Sequence, residues 1–135
     1  MTDWRPTTAL DALAARAQVL QQIRQFFSQR GVLEVCTSHL ARHGVTDPNV
    51  PCIPVDGYGY LQSSPEYHMK RLLAAGAPAI YQVSHVFRDG ESGSRHNPEF
   101  TLMEWYQTGY QLQTLIDECV SLLTTLLEPV APRQV

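Results

Sequence analysis

Apolar residues recur at Leu10, Leu13, Ala14, Ala17, Leu20, Ile23 and Phe27. These steps of three and four predict an amphipathic helix over Leu10–Gln29. Thr7 or Thr8 is placed to cap its start, and Gly31 stops it just behind Arg30, whose cation suits a helix C-terminus. Gly31–Val35 then reads as a short strand with Val32 and Val35 turned inward and Leu33 a further candidate. From Ala41 to Gly59 the pattern breaks at His43, Gly44, Asp47, Pro48, Asn49, Pro51, Pro54 and Gly57, which predicts a loop with a brief extended piece at Cys52–Val55.

Periodicity resumes at Tyr58–Gln62, a strand, and Ser64-Pro65-Glu66 follows as a helix start. Ser64 is placed as the N-cap, Pro65 at the first helical position and Glu66 in the first turn. That helix runs from Tyr67 to Ala75 and ends at Gly76. Ala79–Phe87 has the composition of a mostly buried strand, Arg88–Asn97 is a polar, glycine-containing loop, and Glu99–Tyr106 is a second strand. Alternation along it puts Phe100, Leu102, Glu104 and Tyr106 on one face and Thr101, Met103 and Trp105 on the other. Leu112, Leu115, Ile116, Val120, Leu123, Leu126 and Leu127 outline a last helix, which Pro129 closes. The predicted fold class is α+β, a mainly antiparallel sheet flanked by helices.

At 135 residues, 44% hydrophobic and 17% charged, the chain suits one packed domain. A net charge of −3 argues against a surface that holds nucleic acid by its phosphates. No apolar run reaches the roughly 18 residues of a membrane span, and the N-terminus lacks a secretory pattern. Cys36, Cys52 and Cys119 form no metal or disulfide spacing, so the expected location is the cytoplasm, with free thiols. His39 and His43 build no metal site, and His68 and His85 read as packing or surface residues.

The segment from Phe87 to Phe100 carries the most chemistry. Arg88 and Arg95 offer permanently charged planar donors for phosphate oxygens. Gly90 and Gly93 let the loop fold over a ligand, and Phe100 offers a face for a flat base. These residues form either an anion-plus-aromatic cradle for a nucleotide or a hydrophilic hairpin with solvated charges; composition alone favours the hairpin.

The stretch Arg95-His96-Asn97-Pro98-Glu99-Phe100-Thr101, followed by Met103-Glu104, resembles motif 2 of the class II aminoacyl-tRNA synthetases, in their lysine branch. Ser64-Pro65-Glu66-Tyr67-His68-Met69-Lys70-Arg71 with Met103-Glu104-Trp105-Tyr106 is similar to the lysyl-tRNA synthetase paralogues that ligate (R)-β-lysine to elongation factor P. The likeness runs from about Gln18 to Leu127. Leu10 begins the first helix with no room before it for an anticodon-binding domain, which those paralogues also lack.

The resemblance implies ATP-dependent activation of (R)-β-lysine or lysine, transfer to a lysine of elongation factor P and a homodimer, and the acidic balance agrees with a chain that does not bind tRNA. It implies that Arg88 holds the α-phosphate and is the catalytic residue, and that Arg95 and His96 reach the outer phosphates. Asn97 contacts the nucleotide and Phe100 stacks on adenine; Asp89, Gly90 and Glu91 complete the nucleotide loop. Ser64, Pro65 and Glu66 form the substrate turn, and Glu104 and Tyr106 close the amino-acid pocket. Each has a plainer reading: Glu66 as a first-turn carboxylate, Tyr106 at the core edge, Phe100 as core.

Three positions depart from the family pattern. Gly90 stands where motif 2 has a glutamate, with Glu91 next to it. Ser38 stands at the motif 1 proline, a marker of the dimer interface. No motif 3, with its second arginine, occurs before Val135, and the Mg²⁺-holding carboxylates belong with that motif. The competing expectations are a dimerising or partner-binding remnant of the family and a truncated lysyl-tRNA synthetase.

Overall fold

The computed structural model describes residues 4–127. Its elements in chain order are α1 (Leu10–Gln29), β1 (Leu33–Glu34), β2 (Leu40–Ala41), β3 (Pro54–Val55), β4 (Gly59–Leu61), α2 (Glu66–Ala74), β5 (Ala79–Phe87), β6 (Glu99–Gln107) and α3 (Leu112–Leu127). They fall into two compact units, one built on α1 and α3, the other spanning Val32–Gly109. The expected closure of α3 by Pro129 lies outside the described residues.

In the helical unit α1 buries Ile23, Phe26 and Phe27, the two rings meeting edge to face at 5.3 Å. The face expected from periodicity is buried only in its C-terminal half, since Leu10 and Leu13 are exposed. The capping role of Thr7 or Thr8 is not realised. Ala9 occupies the N-cap with extended dihedrals, its carbonyl accepts the Ala12 and Leu13 amides, and no side chain caps the helix. Arg30 sits at the C-cap as expected, where its guanidinium covers the Phe26 ring, donates to the Phe26 carbonyl at 3.1 Å and reaches Ser121 of α3 at 3.3 Å.

The second unit is α+β, as expected, with its strands divided between two sheets. β5 and β6 pair antiparallel along nine residues each, from Ala79 opposite Gln107 to Phe87 opposite Glu99. β1 adds to β5 in parallel, so the short first strand is narrower than Gly31–Val35 and is not antiparallel. Val32 is buried, whereas Leu33 points out. The stretch expected to be a loop supplies β2 and β3, which flank β4 in a second antiparallel sheet. Gly59 permits this arrangement. Its φ is +128°, and a Cβ there would stand 2.3 Å from the Ala41 carbonyl oxygen on the neighbouring strand.

Gln62 ties the small sheet to the large one. Its backbone donates to the His39 carbonyl at 2.9 Å and accepts the Phe87 amide at 3.0 Å. Its buried side chain donates to the carbonyls of His43 and Tyr60. Met69 of α2 is fully buried, as are Ile80 and, nearly so, Tyr81 and Val86 of β5, and this core holds α2 against the sheet. The end of β5, the start of α2 and the middle of β6 are thereby brought together.

Candidate active site

Chain leaving β4 passes through the buried pair Gln62 and Ser63 and turns at Ser64-Pro65 into α2. Pro65 has helical dihedrals and occupies the N-cap, one position later than expected from the sequence. Ser64 nonetheless does the work of a cap, because its Oγ accepts the Glu66 amide at 3.0 Å. The same hydroxyl donates to Glu104 Oε2 at 2.5 Å, and the Tyr106 hydroxyl donates to Glu104 Oε1 at 3.2 Å. Each oxygen of the Glu104 carboxylate is thus held by a different hydroxyl, fixing its plane before any ligand arrives. Partial burial, and then the nearby charges of Glu104 and Glu66, push the Tyr106 phenol well above the ordinary tyrosine range. At neutral pH it keeps its proton and donates a hydrogen bond.

Glu66 is half-buried at the start of α2 and accepts from Lys70 Nζ at 2.5 Å one turn on. That hydrogen bond and the glutamate's charge raise the Lys70 pKa. An exposed pair of this kind exchanges readily for another cation.

Arg88 leaves the end of β5 and lies half-buried, with its guanidinium 5.0 Å from the centre of the Phe100 ring. Its Nε donates to the Ser63 carbonyl at 3.4 Å, and its Nη1 stands 3.7 Å from a Glu91 carboxylate oxygen. Asp89 is spent on local backbone structure: its amide donates to the Pro51 carbonyl and its carboxylate accepts the Gly90 amide. Gly90 has φ +75°, so the glutamate of the family pattern would be strained there, and Glu91 supplies the nearby carboxylate instead. A Gly93–His96 bridge closes the tip of the loop. Arg95, His96 and Asn97 on that tip are exposed and do not line the cleft described next.

A cleft of about 530 Å³ opens beside these groups. Ser63, Ser64, Glu66, Arg88, Leu102 and Glu104 form one part of its wall. Of the residues singled out from the sequence, it therefore gathers Ser64, Glu66, Arg88 and Glu104. Tyr106 joins through its bond to Glu104, Phe100 through its stack with Arg88, and buried Pro65 through the turn. The rest of the lining was not legible in the sequence. It consists of Val45, Thr46, Asp47 and Val50, from the breaker-rich stretch, with Tyr67 of α2. Asp47-Pro48-Asn49 does announce a turn, and Asp47 Oδ1 accepts the Asn49 amide at 2.9 Å. Turn chemistry does not say which way the turn faces.

The arrangement offers a guanidinium at one place and carboxylates elsewhere, in a space sized for a small polar ligand. Among the described residues no group of three His, Cys, Asp or Glu side chains could hold a metal ion. Arg88 and Phe100 set a fixed positive charge beside an aromatic face, which fits a phosphate and a purine on one ligand.

The family model described as tRNA synthetases class II (D, K and N) matches residues 1–134. The chain is 47% identical over 134 residues to a protein of Actinobacillus succinogenes named elongation factor P–(R)-β-lysine ligase. It is 44% identical over 135 residues to the protein of that name from Pasteurella multocida, and 46% identical over 135 residues to that of Vibrio vulnificus. Each match covers 93% of this chain and 42% of the relative, so the chain spans well under half the length of these curated relatives.

Proposed function

We propose, from the premise that the chain belongs to the class II (D, K and N) tRNA synthetase family, that it binds ATP and a diamino acid for aminoacyl-adenylate formation. The substrate is (R)-β-lysine or lysine, and the acceptor is a lysine of elongation factor P. The names of the relatives support this reading. The observation that carries it is the Glu104 carboxylate, held by Ser64 and Tyr106 in the same cleft as the Arg88 guanidinium. An ammonium-binding anion and a carboxylate- or phosphate-binding cation face one space.

In the first step a substrate carboxylate oxygen attacks the α-phosphorus of ATP, forming the acyl–phosphate bond as pyrophosphate leaves. Arg88 is the residue of this chain that offsets the charge building on the phosphoryl oxygens. Arg95 and His96 serve the outer phosphates, Asn97 the nucleotide and Phe100 the adenine, with Asp89, Gly90 and Glu91 shaping the turn. ATP arrives as its Mg²⁺ complex. In the second step the acceptor lysine amine attacks the acyl carbonyl and AMP leaves. Glu66, Glu104 and Tyr106 bind and orient the amino acid, and ionised carboxylates there offset the cost of stripping water from its ammonium groups.

Residues 1–135 belong, in this reading, to one class II synthetase-like catalytic domain acting in the cytoplasm as a homodimer. Exposed Leu10, Leu13 and Val19 on α1 agree with a second copy packing there. The net charge of −3 favours a protein acceptor over tRNA. No described helix is long and apolar enough to cross a membrane.

ATP–pyrophosphate exchange, run with (R)-β-lysine, with lysine and with neither, tests the reading beside direct binding. Amino-acid-dependent exchange is the result expected of the activating chemistry. Binding of both substrates without exchange identifies a binding portion of the family that does not catalyse. Binding of neither overturns the reading.

A further inference from the structure

Arg88 is held in place by backbone carbonyls from three separate segments. Its amide donates to the Pro98 carbonyl at 2.9 Å, just ahead of β6. The Phe87 amide before it donates to the Gln62 carbonyl, and the Asp89 amide after it to the Pro51 carbonyl, each at 3.0 Å. The side chain follows the same pattern, with Nε donating to the Ser63 carbonyl at 3.4 Å. Two consecutive carbonyls, of Gln62 and Ser63, thus receive the Phe87 amide and Arg88 Nε.

What fixes those two carbonyls is the Gln62 side chain. It is 4% exposed, and a buried amide is tolerated where its hydrogen bonds are made. Nε2 donates at 3.1 Å to the Tyr60 carbonyl, within β4, and at 3.1 Å to the His43 carbonyl, in the chain beyond β2. The Gln62 amide donates to the His39 carbonyl, just before β2, at 2.9 Å. Gln62 therefore clamps the chain on either side of β2 to the end of β4. An apolar side chain of the same length fills the space and makes neither side-chain bond.

A guanidinium bonded at Nε has given up part of its rotamer freedom before a ligand arrives, which lowers the cost of binding. Its terminal nitrogens remain as the fork that meets phosphate oxygens. Resting on the nucleotide reading above, we infer that Gln62 is a positioning residue for Arg88: its buried amide sets the carbonyls that aim the guanidinium at a phosphate. Gln62 is not among the residues lining the Arg88 cleft, so its effect on a ligand there passes through Arg88.

The probe is ATP with Mg²⁺, titrated by calorimetry into the unaltered chain, Gln62→Met, Arg88→Lys and the double variant. Methionine is unbranched and of matching length, and it removes both donors. In the unaltered background Gln62→Met is expected to weaken ATP binding by about fivefold, the scale of one lost hydrogen bond. With lysine at position 88 there is no Nε–H left to aim, and the same substitution is expected to change affinity by less than about twofold. A merely structural role gives the same fold-loss in both backgrounds, and that result overturns the inference.

The Arg88 Nε–H resonance, identified by its loss in Arg88→Lys, reads the same point without ligand. It is expected to be restrained and slow to exchange with solvent in the unaltered chain, and averaged in Gln62→Met. An Arg88 Nε–H that is already averaged in the unaltered chain overturns the inference even where Gln62→Met does not fold. ATP binding with an additive pair of substitutions removes the role of Gln62 and leaves the nucleotide reading standing. No ATP binding by the unaltered chain overturns both.

Discussion

The Ser64 hydroxyl donates to Glu104 Oε2 at 2.5 Å while accepting the Glu66 amide at 3.0 Å, so one side chain links the start of α2 to the middle of β6. Ser64→Ala removes both bonds and leaves a half-buried carboxylate short of a donor. Stability is expected to fall by about 1–2 kcal/mol, the scale of a lost cap or a lost bond to a charged group. Urea denaturation checks this, and Ser64→Thr, which restores a hydroxyl, is expected to recover most of the loss.

Tyr106 gives a prediction at alkaline pH. Burial and two nearby carboxylates hold its folded-state pKa above the ordinary value of 10.0. In the window above about pH 10 the unfolded chain sheds the phenol proton before the folded chain does. Stability therefore falls as pH rises there. Wild-type protein is expected to lose stability with rising pH more steeply than Tyr106→Phe in that window. Denaturation midpoints measured at intervals from pH 8 upward read the difference, and parallel curves would remove the assignment.

Arg88 stacks on Phe100 and is half-buried, so shape matters there as well as charge. Arg88→Lys keeps the cation and loses the planar fork. ATP affinity is expected to drop by about tenfold or more, for the loss of one charge-assisted bond and the stack. Calorimetric titration with ATP measures it. An unchanged affinity would place the nucleotide elsewhere.

Gly90 invites a restoration that the backbone opposes. Gly90→Glu puts back the carboxylate of the family pattern, but at φ +75°. A cost of about 1–2 kcal/mol in thermal or urea stability is expected from the left-handed conformation. A variant as stable as the parent would show that the turn relaxes without strain.

Much of this architecture could be read from the chain itself. The long helices, the β5–β6 hairpin and the shared face of Phe100, Glu104 and Tyr106 follow from local periodicity. Burial does not follow it, since Leu10 and Leu13 of α1 and Leu112, Ile116, Val120, Leu123 and Leu127 of α3 are exposed while α3 buries Glu118 and Leu122. What escaped depends on non-local pairing. Leu40–Ala41 and Pro54–Val55 become strands only because β4 lies between them, and two-residue strands leave no period to detect. Thr46 and Asp47 enter the cleft wall because Tyr67, 21 residues later than Thr46, supplies a hydroxyl. The cap on α1 failed for a smaller reason: Ala9, one residue past Thr8, took the extended N-cap conformation.

The central claim is that the space between Arg88 and Glu104 binds a diamino acid. Amide chemical-shift mapping of the isotopically labelled chain during titration with (R)-β-lysine tests it most directly. The account predicts saturable shifts at Ser64, Glu66, Glu104 and Tyr106, abolished by Glu104→Gln. Shifts confined to other surfaces, or none at millimolar ligand, would contradict it.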